Sequence, residues 1–573
     1  MALSYEEAIA RVTGPGQVFE ITDVEIDGLG YKAFTHAPTT LRAAFDSARN
    51  QGENTFVVYE GERWTFADVM AHVDALGSAL VHRYGIAKGD RVAIGMRNLP
   101  EWVISFAAVI SIGAVSVSLN AWWTEEELDY ALSDCGASLL IADAERVVRS
   151  RIACQRLGID TIVVRAGEDD ANPPNLERMD AVVNLGDSLP EVPISPDDDA
   201  TILYTSGTTG QPKGAVSTHR AVTQALFAFG CASAVQRERS ADRPEKAKPT
   251  EEARASMGKD LVAPNDPTFI LIVPLFHVTG CIPVMMSCFY VGMKLVMMHK
   301  WDPDVALELI ERERVTNFVG VPTQSWDLLE SPRFAEYDTS SLLSIGGGGA
   351  PAPPKLVHRV EDNFRGRPQI GYGMTETNAY GPGNFGEDYV THPLSTGRAV
   401  PILEIAVRDP DGRAVPAGER GEIWFKGPNL IRGYWAKPEA TAETMVEGWL
   451  RTGDIGRIDG EGFVYVEDRV KDMVLRAGEN VYCAEVEAAL YEHPAVYEAA
   501  VFGVPHERLG EEVVAVINPK NGQTTTVEAL QGHVAEHLAP FKVPSRIVFV
   551  KDRLPRSASG KILKRELRTE HFE

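Results

Sequence analysis

The chain has 573 residues, which is too many for a single hydrophobic core and predicts several packed subdomains. Its apolar fraction of 44% and charged fraction of 24% are ordinary for a globular protein. The formal net charge of -25 argues against nucleic acid as a partner and against electrostatic docking on anionic lipid. The six cysteines form no CxxC pair, so a structural zinc site is not expected.

The N-terminal segment MALSYEEAIARVTGPG carries acidic residues and has no apolar centre, unlike a signal peptide, so a cytoplasmic location is expected. Two apolar stretches, 102–119 and 269–293, need comparison with membrane spans. Gly113 divides the first into a helix, WVISFAAVISI, and a strand, AVSVSL, while prolines, a histidine and a glycine interrupt the second. We therefore predict buried elements and no transmembrane span; peripheral membrane contact stays open.

Short apolar strands such as RVAIGM, VSVSL and SLLIA alternate with amphipathic helices, which predicts βαβ units and mostly parallel sheets. Residues 233–265 are densely charged and lack apolar periodicity, which is typical of a surface insertion or mobile loop; a substrate lid is the second interpretation. From about residue 400, the strands EIAVRD, GEIWFKG and GFVYVED lie between glycine-containing turns and predict a small antiparallel barrel or sheet.

A last segment of about 100 residues follows the charged run EDRVKD and contains the strands VVAVIN and RIVFV. The predicted fold is therefore α/β, with a large N-terminal domain of two βαβ-type subdomains plus a small β-barrel, and a small mobile α+β C-terminal domain. We place the N-terminal domain at 1–467, a hinge at 468–472 and the C-terminal domain at 473–573.

The segment ILYTSGTTGQPKG, Ile202–Gly214, runs from an apolar strand into a loop of threonine, serine and glycine that ends at Lys213. Glycine allows successive N–H groups to face an anion, hydroxyls add donors, and the lysine adds a mobile positive charge. The glycine and lysine spacing differs from GxxxxGK[ST] of the P-loop NTPases. The length of the pattern favours a phosphate-binding loop over a merely flexible polar one.

This segment resembles the phosphate-binding signature of the acyl-adenylate-forming superfamily, which includes acyl-CoA synthetases, aryl-CoA ligases, adenylation domains of peptide synthetases and beetle luciferases. Further motifs follow in the order typical of that superfamily and extend the resemblance over nearly the whole chain. They are GGAP at Gly348–Pro351, GYGMTET at Gly371–Thr377, WLRTGD at Trp449–Asp454, DRVKD at Asp468–Asp472, and then GENVYCAEVE and PRSASGKILKREL.

The resemblance implies that ATP and Mg²⁺ activate a carboxylic acid as an acyl-adenylate with release of pyrophosphate. Glu376 is the implied Mg²⁺ ligand, Thr375 contacts the α-phosphate, and Lys561 bridges the carboxylate and the α-phosphate. The implied phosphate contacts are Thr205, Ser206, Gly207, Thr208, Thr209, Gly210 and Lys213. The implied contacts to adenosine monophosphate are Gly348, Gly349, Ala350, Gly371, Tyr372, Asp454 and Arg469, with Tyr372 stacking on adenine and Asp454 accepting both ribose hydroxyls.

The resemblance also implies that the C-terminal domain then rotates, withdraws Lys561 and admits the thiol of coenzyme A. Lys471 occupies the hinge position in DRVKD, and Gly478 is implied in the tunnel for the pantetheine arm. Closure shields the adenylate from water. Cys483 stands where similar stretches commonly carry proline, and no function is assigned to it.

His277, in PLFHVTG, indicates the kind of acid, because amino-acid-activating relatives usually carry aspartate near this position. With Val278 and Asn378 it forms the predicted acid pocket, and further apolar wall residues are Thr279, Cys281, Val284, Met285 and Met286. No charged residue stands out to pair with a second carboxylate. A hydrophobic acid is therefore predicted, with a medium- or long-chain fatty acid first.

Several alternatives stay open. One is an aryl-CoA ligase, and another is an acyl-AMP ligase that delivers the acyl group to a carrier protein or an amine. A luciferase-like oxygenase is less favoured, and the chain ends in HFE rather than SKL. A nucleotide-binding regulator with a dead site is disfavoured by the intact Lys213, Glu376, Asp454, Arg469 and Lys561. The expected partners are the acid, ATP and CoA, and the sequence is compatible with a monomer or a dimer.

Overall fold

The fold is given by a computed structural model that describes residues 3–167, 175–205, 211–240, 267–350, 352–469, 472–477, 479–520, 522–558 and 560–572. These ranges contain two large sheets, a five-stranded sheet near the C-terminus, and the hairpin Ile21–Ile26 with Leu29–Phe34. No helix within them is long and apolar enough to cross a bilayer. The mixed α/β architecture, with a large N-terminal part and a small C-terminal part, confirms the predicted fold class.

The first large sheet has eight strands, and six consecutive ones are parallel, as expected for βαβ units. Two further strands extend it antiparallel at one edge, and the predicted phosphate loop joins the parallel strand Asp199–Thr205 to the first of them, Lys213–Thr218. In spatial order the strands are Gly433–Tyr434, Lys213–Thr218, Asp199–Thr205, Val115–Ser118, Arg91–Gly95, Leu139–Asp143, Asp160–Val164 and Leu176–Arg178.

The second large sheet has fourteen strands and joins a parallel part to an antiparallel part. The strands predicted as a small barrel are therefore continuous with the parallel sheet, through the short strands Gly383–Phe385 and Gly397–Arg398. In spatial order the strands are Glu404–Arg408, Gly421–Lys426, Trp449–Ile458, Phe463–Arg469, Gly397–Arg398, Gly383–Phe385, Arg367–Gly371, Ser344–Gly348, Asn317–Gly320, Thr268–Leu271, Lys294–Met297, Thr55–Tyr59 and Glu62–Thr65, with Met445–Val446 paired to Trp449–Ile458.

The C-terminal sheet is built around a long antiparallel pair, Val496–His506 with Gly510–Pro519. Arg546–Phe549 lies parallel to the second of these strands, and the short hairpin Val474–Arg476 with Glu479–Val481 pairs with the start of the same strand, at Gly510. Two helices, Cys483–Glu492 and Val527–His537, share a buried apolar cluster with the sheet. This segment therefore has a core of its own, as the predicted C-terminal domain requires.

Helices cover the sheets, and their starts follow local sequence signals. Thr65 with Asp68, and Thr124 with Glu127, form reciprocal capping boxes. The α-helices are Tyr5–Thr13, Leu41–Ser47, Phe66–His82, Pro100–Ser111, Glu125–Cys135, Ala144–Leu157, Met179–Val182, His219–Ser240, Ser287–Val291, Pro303–Glu313, Pro322–Glu330, Pro354–Asn363, Gly386–Thr391, Pro438–Thr444, Cys483–Glu492, Val527–His537 and Lys564–Phe572. Short 3₁₀ turns are Ala48–Gln51, Phe334–Glu336, Thr375–Thr377 and Pro540–Lys542, and Gly280–Met286 is a π-helix.

Two sequence predictions about apolar and charged stretches have different outcomes. The stretch 102–119 does form a buried helix, Pro100–Ser111, followed by the buried strand Val115–Ser118. The predicted loop at 233–265 is wrong for its first eight residues, because the helix His219–Ser240 continues through them. Arg239 on that helix forms a bidentate ion pair with Asp388, which explains why a charged sequence stays helical. Residues 241–265 lie outside the described ranges.

His219, at the start of this helix, makes the fold sensitive to acid. Its side chain is fully buried, and its Nδ1 accepts a hydrogen bond from the backbone N–H of Leu41 at 3.1 Å. Burial is the main cause that lowers the pKa of His219 from 6.5 to about 4. Between pH 6.5 and 4 the unfolded chain therefore binds a proton that the folded chain does not, so stability falls as pH falls through this window.

We expect His219→Gln, which keeps an acceptor for Leu41, to lose part of this pH dependence. The shift corresponds to about 3 kcal/mol of native stability lost by pH 4. Thermal unfolding midpoints at steps between pH 7 and pH 4.5 measure the effect. The slope should decrease without vanishing, because the pKa of His277 is also lowered to about 4 and that residue is retained. An unchanged slope in the variant contradicts the assignment.

Candidate active site

The predicted phosphate loop lies at the tip of a hairpin. Asp199–Thr205 and Lys213–Thr218 pair antiparallel, with Thr205 opposite Lys213, so the segment between them joins two adjacent strand ends. The Thr205 hydroxyl donates to the Lys213 carbonyl at 3.4 Å. Ser206, Gly207, Thr208, Thr209 and Gly210 lie outside the described residues. The structure therefore fixes the two ends of the loop and the direction from which Lys213 emerges.

Glu376 is held next to this hairpin. It lies in the 3₁₀ turn Thr375–Thr377, and its Oε1 accepts a hydrogen bond from the Tyr434 hydroxyl at 2.7 Å. Its backbone carbonyl accepts from the N–H of Ile431 at 3.0 Å. The Lys213 ammonium lies over the Tyr434 ring, 5.1 Å from its centroid. Tyr434 thus connects the predicted metal ligand to the predicted phosphate lysine.

Asp454 forms the centre of a second group. Its carboxylate accepts from the Tyr372 hydroxyl at 2.5 Å and lies 3.2 Å from Nε of Arg469. Burial raises the pKa of Asp454, and the attraction of Arg469 and the hydrogen bond from Tyr372 oppose that rise. Asp454 and Arg469 are directly opposite on neighbouring antiparallel strands. This arrangement presents a buried carboxylate beside a cation, as the predicted ribose contact requires.

Three glycines of the predicted nucleotide motifs lie on or next to adjacent strands of the second large sheet. Gly348 and Gly371 are paired on adjacent parallel strands. Gly349 has φ of +76°, a left-handed conformation, and a Cβ built there would lie 3.8 Å from Cε of Lys561. Lys561 therefore approaches the backbone of the predicted nucleotide segment from the C-terminal part of the chain. Ala350 follows directly and is partly exposed.

The charge of Lys561 interacts with three of the predicted site residues, Arg469, Asp454 and Glu376. Residue Lys561 is exposed to the solvent of the cleft, but many protein atoms lie around its ammonium. Desolvation lowers the pKa of Lys561, the charge of Arg469 lowers it further, and Asp454 and Glu376 oppose that change. A lysine held among carboxylates in a cleft is poised to neutralise an incoming anion.

A contact outside the sequence motifs holds the C-terminal part in this position. Asp327, on the helix Pro322–Glu330, has a nearly buried side chain. Arg553 donates to both of its oxygens at 2.9 and 3.3 Å, and the hydroxyl of Tyr497 donates at 3.2 Å. The indole of Trp301 donates to the same carboxylate at 2.9 Å. One N-terminal carboxylate therefore anchors two side chains of the C-terminal part.

His277 lies on a tightly constrained loop near the same cleft. Its pKa is lowered to about 4, mainly by desolvation and then by the charge of Lys561, so the ring is neutral near pH 7. The amide of buried Asn98 pins the loop, donating to the carbonyl of Val273 and accepting from the N–H of Leu275. Gly280 is required by packing, because a Cβ there would lie 2.3 Å from the carbonyl oxygen of Pro274.

The predicted acid wall is largely part of the core. Val278 is nearly buried, and Thr279 precedes the π-helix Gly280–Met286, a helix type common at functional sites. The fully buried members are Cys281, Val284, Met285 and Met286. Asn378 is also fully buried, where it accepts from Ser217 and donates to the carbonyl of Asn429. Its side chain supports the GYGMTET segment, and a contact with the acid stays a prediction.

The sequence motifs did not reveal several residues that position the site. Tyr434, Asn98, Asp327, Arg553 and Tyr497 lie outside the quoted motifs and act through long-range contacts. The sequence around them carries no signal of these contacts; Asn98, for example, directly follows Arg97 and precedes Leu99, Pro100 and Glu101. The predicted hinge and tunnel residues Lys471 and Gly478 lie outside the described residues.

The predicted site combines residues of the large N-terminal part with Lys561 of the small C-terminal segment. The AMP-binding enzyme family matches residues 44–435, and the AMP-binding enzyme C-terminal domain matches residues 485–561. The chain belongs to the AMP-binding enzyme family. The predicted superfamily is confirmed, and the enzyme is an AMP-forming acid–CoA ligase.

Relatives that match over nearly the whole of both chains support this membership. The chain is 37% identical over 529 residues to a feruloyl-CoA synthase of Amycolatopsis, covering 91% of this chain and 96% of that one. It is 34% identical over 557 residues to a long-chain-fatty-acid–CoA ligase of Bacillus subtilis, covering 92% and 94%. The structure of ATP-bound MatB from Rhodopseudomonas palustris is similar with a TM-score of 0.80 and 29% identity, covering 93% and 99%.

Proposed function

We propose that the protein joins a hydrophobic carboxylic acid to coenzyme A in two steps, through an acyl-adenylate. The observation that carries this proposal is the position of Lys561 beside Gly349, Asp454 and Glu376 in one cleft. In the first step the acid carboxylate attacks the α-phosphorus of ATP, an acyl–phosphate bond forms, and pyrophosphate leaves. Lys561 and Lys213 would neutralise the approaching anions, and Thr375 would donate to the α-phosphate.

The residues present fit a magnesium ion. Glu376 offers a carboxylate held in place by Tyr434, and Mg²⁺ in nucleotide sites is bound by one or two carboxylates together with phosphates and water. The ion would offset charge on the phosphates during the reaction. Asp454 would accept the ribose hydroxyls, Arg469 would fix that carboxylate, and the backbone of Gly348–Ala350 would lie along the adenine.

The neutral ring of His277 favours an acid whose part beyond the carboxylate is uncharged or apolar. Near pH 7 it brings no charge to the predicted acid pocket, and the apolar residues that follow it are mainly buried. Because similar proteins are named for feruloyl and for long-chain fatty acyl groups, both aryl and fatty acids belong in the first tests, with fatty acids placed first. A cytoplasmic enzyme using free acid and CoA is the expected setting.

One comparison supports an alternative to CoA as the acceptor of the acyl group. The amide bond synthetase McbA from Marinactinospora thermotolerans is similar over 93% of this chain and 100% of its own, with a TM-score of 0.78 and 27% identity. An acyl-AMP ligase that acylates an amine or a carrier protein would share the first step. CoA dependence separates the two functions.

Pyrophosphate release from ATP and Mg²⁺ tests the function across fatty acids of increasing length, ferulate and amino acids, with and without CoA. CoA-dependent turnover with one hydrophobic class, together with detection of the acyl-CoA, is the expected result. If CoA neither accelerates pyrophosphate release nor becomes acylated, CoA is not the acceptor. That result favours an amine or a carrier protein as the acceptor. Release with amino acids alone contradicts the predicted acid class.

We also propose that 1–467 and 473–573 act as separate domains about a hinge at 468–472, and that the contact at Asp327 stabilises the adenylating orientation. Arg553→Met should therefore slow adenylation about 10-fold, because the carboxylate loses its bidentate partner, while thioester formation from supplied acyl-adenylate is retained. Single-turnover rates of the two half-reactions measure the effect. The control is Arg508→Met, which removes an exposed arginine of the same domain. Equal slowing of both half-reactions contradicts the proposal.

A further inference from the structure

We propose that the C-terminal domain carries a binding site for a divalent transition metal, with Zn²⁺ as the representative ion, made by Glu492, His533 and His537. One ligand atom from each of these residues lies within 4.8 Å of the others. Nε2 of His537 is 3.7 Å from Oε2 of Glu492. The site is on the surface of the domain and shares no residue with the sequence motifs, and it does not depend on the proposed acid or acceptor.

The hydrogen bonds of the two histidines determine which ring nitrogens carry a lone pair. Nδ1 of His537 is 2.8 Å from the carbonyl oxygen of His533, and Nε2 of His533 is 3.0 Å from the carbonyl oxygen of Ala489. A carbonyl only accepts, so both of these nitrogens carry hydrogen. In the neutral rings, Nε2 of His537 and Nδ1 of His533 are then free to bind a metal. Metal-binding histidines generally donate their other N–H to a carbonyl or carboxylate in this way.

The three ligands are attached to two helices that pack on one buried cluster. His533 and His537 are four residues apart, on one face of the helix Val527–His537, and Glu492 ends the helix Cys483–Glu492. Leu490 and Val534 lie beside these ligands in the sequence and belong to one buried cluster. Sites built on packed helices hold their ligands more accurately than sites on loops.

The chemistry of the ligand set selects the ion. Two imidazoles and one carboxylate suit Zn²⁺, Ni²⁺ or Cu²⁺, whereas Mg²⁺ prefers oxygen ligands alone. Ligands at about 2.0–2.2 Å from a tetrahedral zinc lie roughly 3.3 Å from one another, so ligand atoms that are now within 4.8 Å of each other need to approach by about 1.5 Å or less, a shift open to the exposed side chains of Glu492 and His537. Three protein ligands leave one position for water. A bound ion would fasten the ends of the two helices together.

A simpler arrangement has the same geometry. If His537 is protonated, it forms only an ion pair with Glu492, and a surface pair of this kind contributes little stability. The two interpretations differ in their response to metal, because the ion pair alone gives no stoichiometric zinc binding. They also differ in the role of His533, which is needed only for the metal.

The test uses the full-length protein after chelator treatment, titrated calorimetrically with Zn²⁺. We expect one site per chain, a rise in the thermal unfolding midpoint on binding, and a visible Co²⁺ spectrum of four-coordinate type. Glu492→Gln and His537→Gln should each weaken binding at least 10-fold and remove the rise in midpoint. The matched control is His72→Gln, because Nδ1 of His72 makes the same bond to the carbonyl four residues earlier, that of Asp68, at 2.8 Å.

Loss of zinc binding in both site variants but not in the control supports the site. Unchanged stoichiometry and affinity in His537→Gln, or zinc binding that His72→Gln weakens equally, would overturn it and indicate adventitious surface binding. Absence of any stoichiometric binding to the unaltered protein would leave only the ion pair and would also overturn the proposal. Since none of these measurements uses turnover, failure here is distinct from failure of the proposed ligase function.

Discussion

Replacing Lys561 with alanine should lower the rate of acyl-adenylate formation by about 10²–10³-fold. The Lys561 side chain passes near Gly349, and its charge interacts with those of Asp454, Glu376 and Arg469; in the proposed first step the ammonium meets both the acid carboxylate and the α-phosphate. Without it, two anions approach each other with one fewer compensating charge in the cleft. The rate of pyrophosphate release in a single turnover with saturating ATP and acid measures the loss.

The second half-reaction separates a catalytic loss from a folding defect. If the C-terminal domain withdraws Lys561 before the thiol enters, the variant should convert supplied acyl-adenylate and CoA to thioester at nearly the normal rate. The control is Lys551→Ala, which removes an exposed lysine from the same domain and should leave both half-reactions intact. A Lys561→Ala variant that adenylates normally, or loses both steps equally, would remove this residue from its proposed role.

The sequence predicted those parts of the molecule in which local pattern and structure agree. The alternation of apolar strands with helices anticipated six parallel strands in the first sheet, since a returning helix allows only that direction. The helix and strand within 102–119 were predicted because their apolar residues are buried on every side. The motifs also selected Lys561, Asp454 and Glu376, which are far apart in the chain, and in the structure the two carboxylates act electrostatically on the lysine.

Where prediction failed, the stabilising interaction is long-range. The helix His219–Ser240 extends into the charged segment because Arg239 pairs with Asp388, a residue 149 positions away. The antiparallel strands after residue 400 join the parallel sheet through two very short strands, and three-residue or two-residue strands carry almost no periodic signal. Short local patterns therefore gave the correct elements but not all of their bounds or neighbours.

The contacts that position the site were missed for the same physical reason. Asp327 receives hydrogen bonds from Trp301, Tyr497 and Arg553, and none of these residues lies in the same stretch of sequence. Such a carboxylate resembles any helix surface residue until its partners are known. By contrast, Gly349 has φ of +76°, a left-handed conformation that favours glycine and that a local sequence pattern can indicate. Steric requirements on backbone are local, whereas polar partners are not.

Glu376→Gln should lower adenylation by about 100-fold and weaken its dependence on Mg²⁺. The substitution keeps an oxygen that accepts from the Tyr434 hydroxyl, so the side chain stays in place while the negative charge is lost. Loss of a metal ligand changes the Mg²⁺ requirement, whereas loss of a contact that only positions the ligand changes the rate. We therefore expect Tyr434→Phe to have a smaller effect, about 10-fold, with an unchanged Mg²⁺ requirement, because the carboxylate remains and only its orientation is relaxed.

The measurement is the initial rate of pyrophosphate release at a series of Mg²⁺ concentrations with ATP held constant. In Glu376→Gln the Mg²⁺ concentration at half-maximal rate should rise, whereas in Tyr434→Phe only the maximal rate should fall. Glu439→Gln, which changes an exposed glutamate on the adjacent helix Pro438–Thr444, is the matched control and should leave both quantities unchanged. Equal Mg²⁺ requirements in Glu376→Gln and the unaltered enzyme would mean that the carboxylate positions Tyr434 and the neighbouring Lys213, and that the metal is held by the phosphates without it.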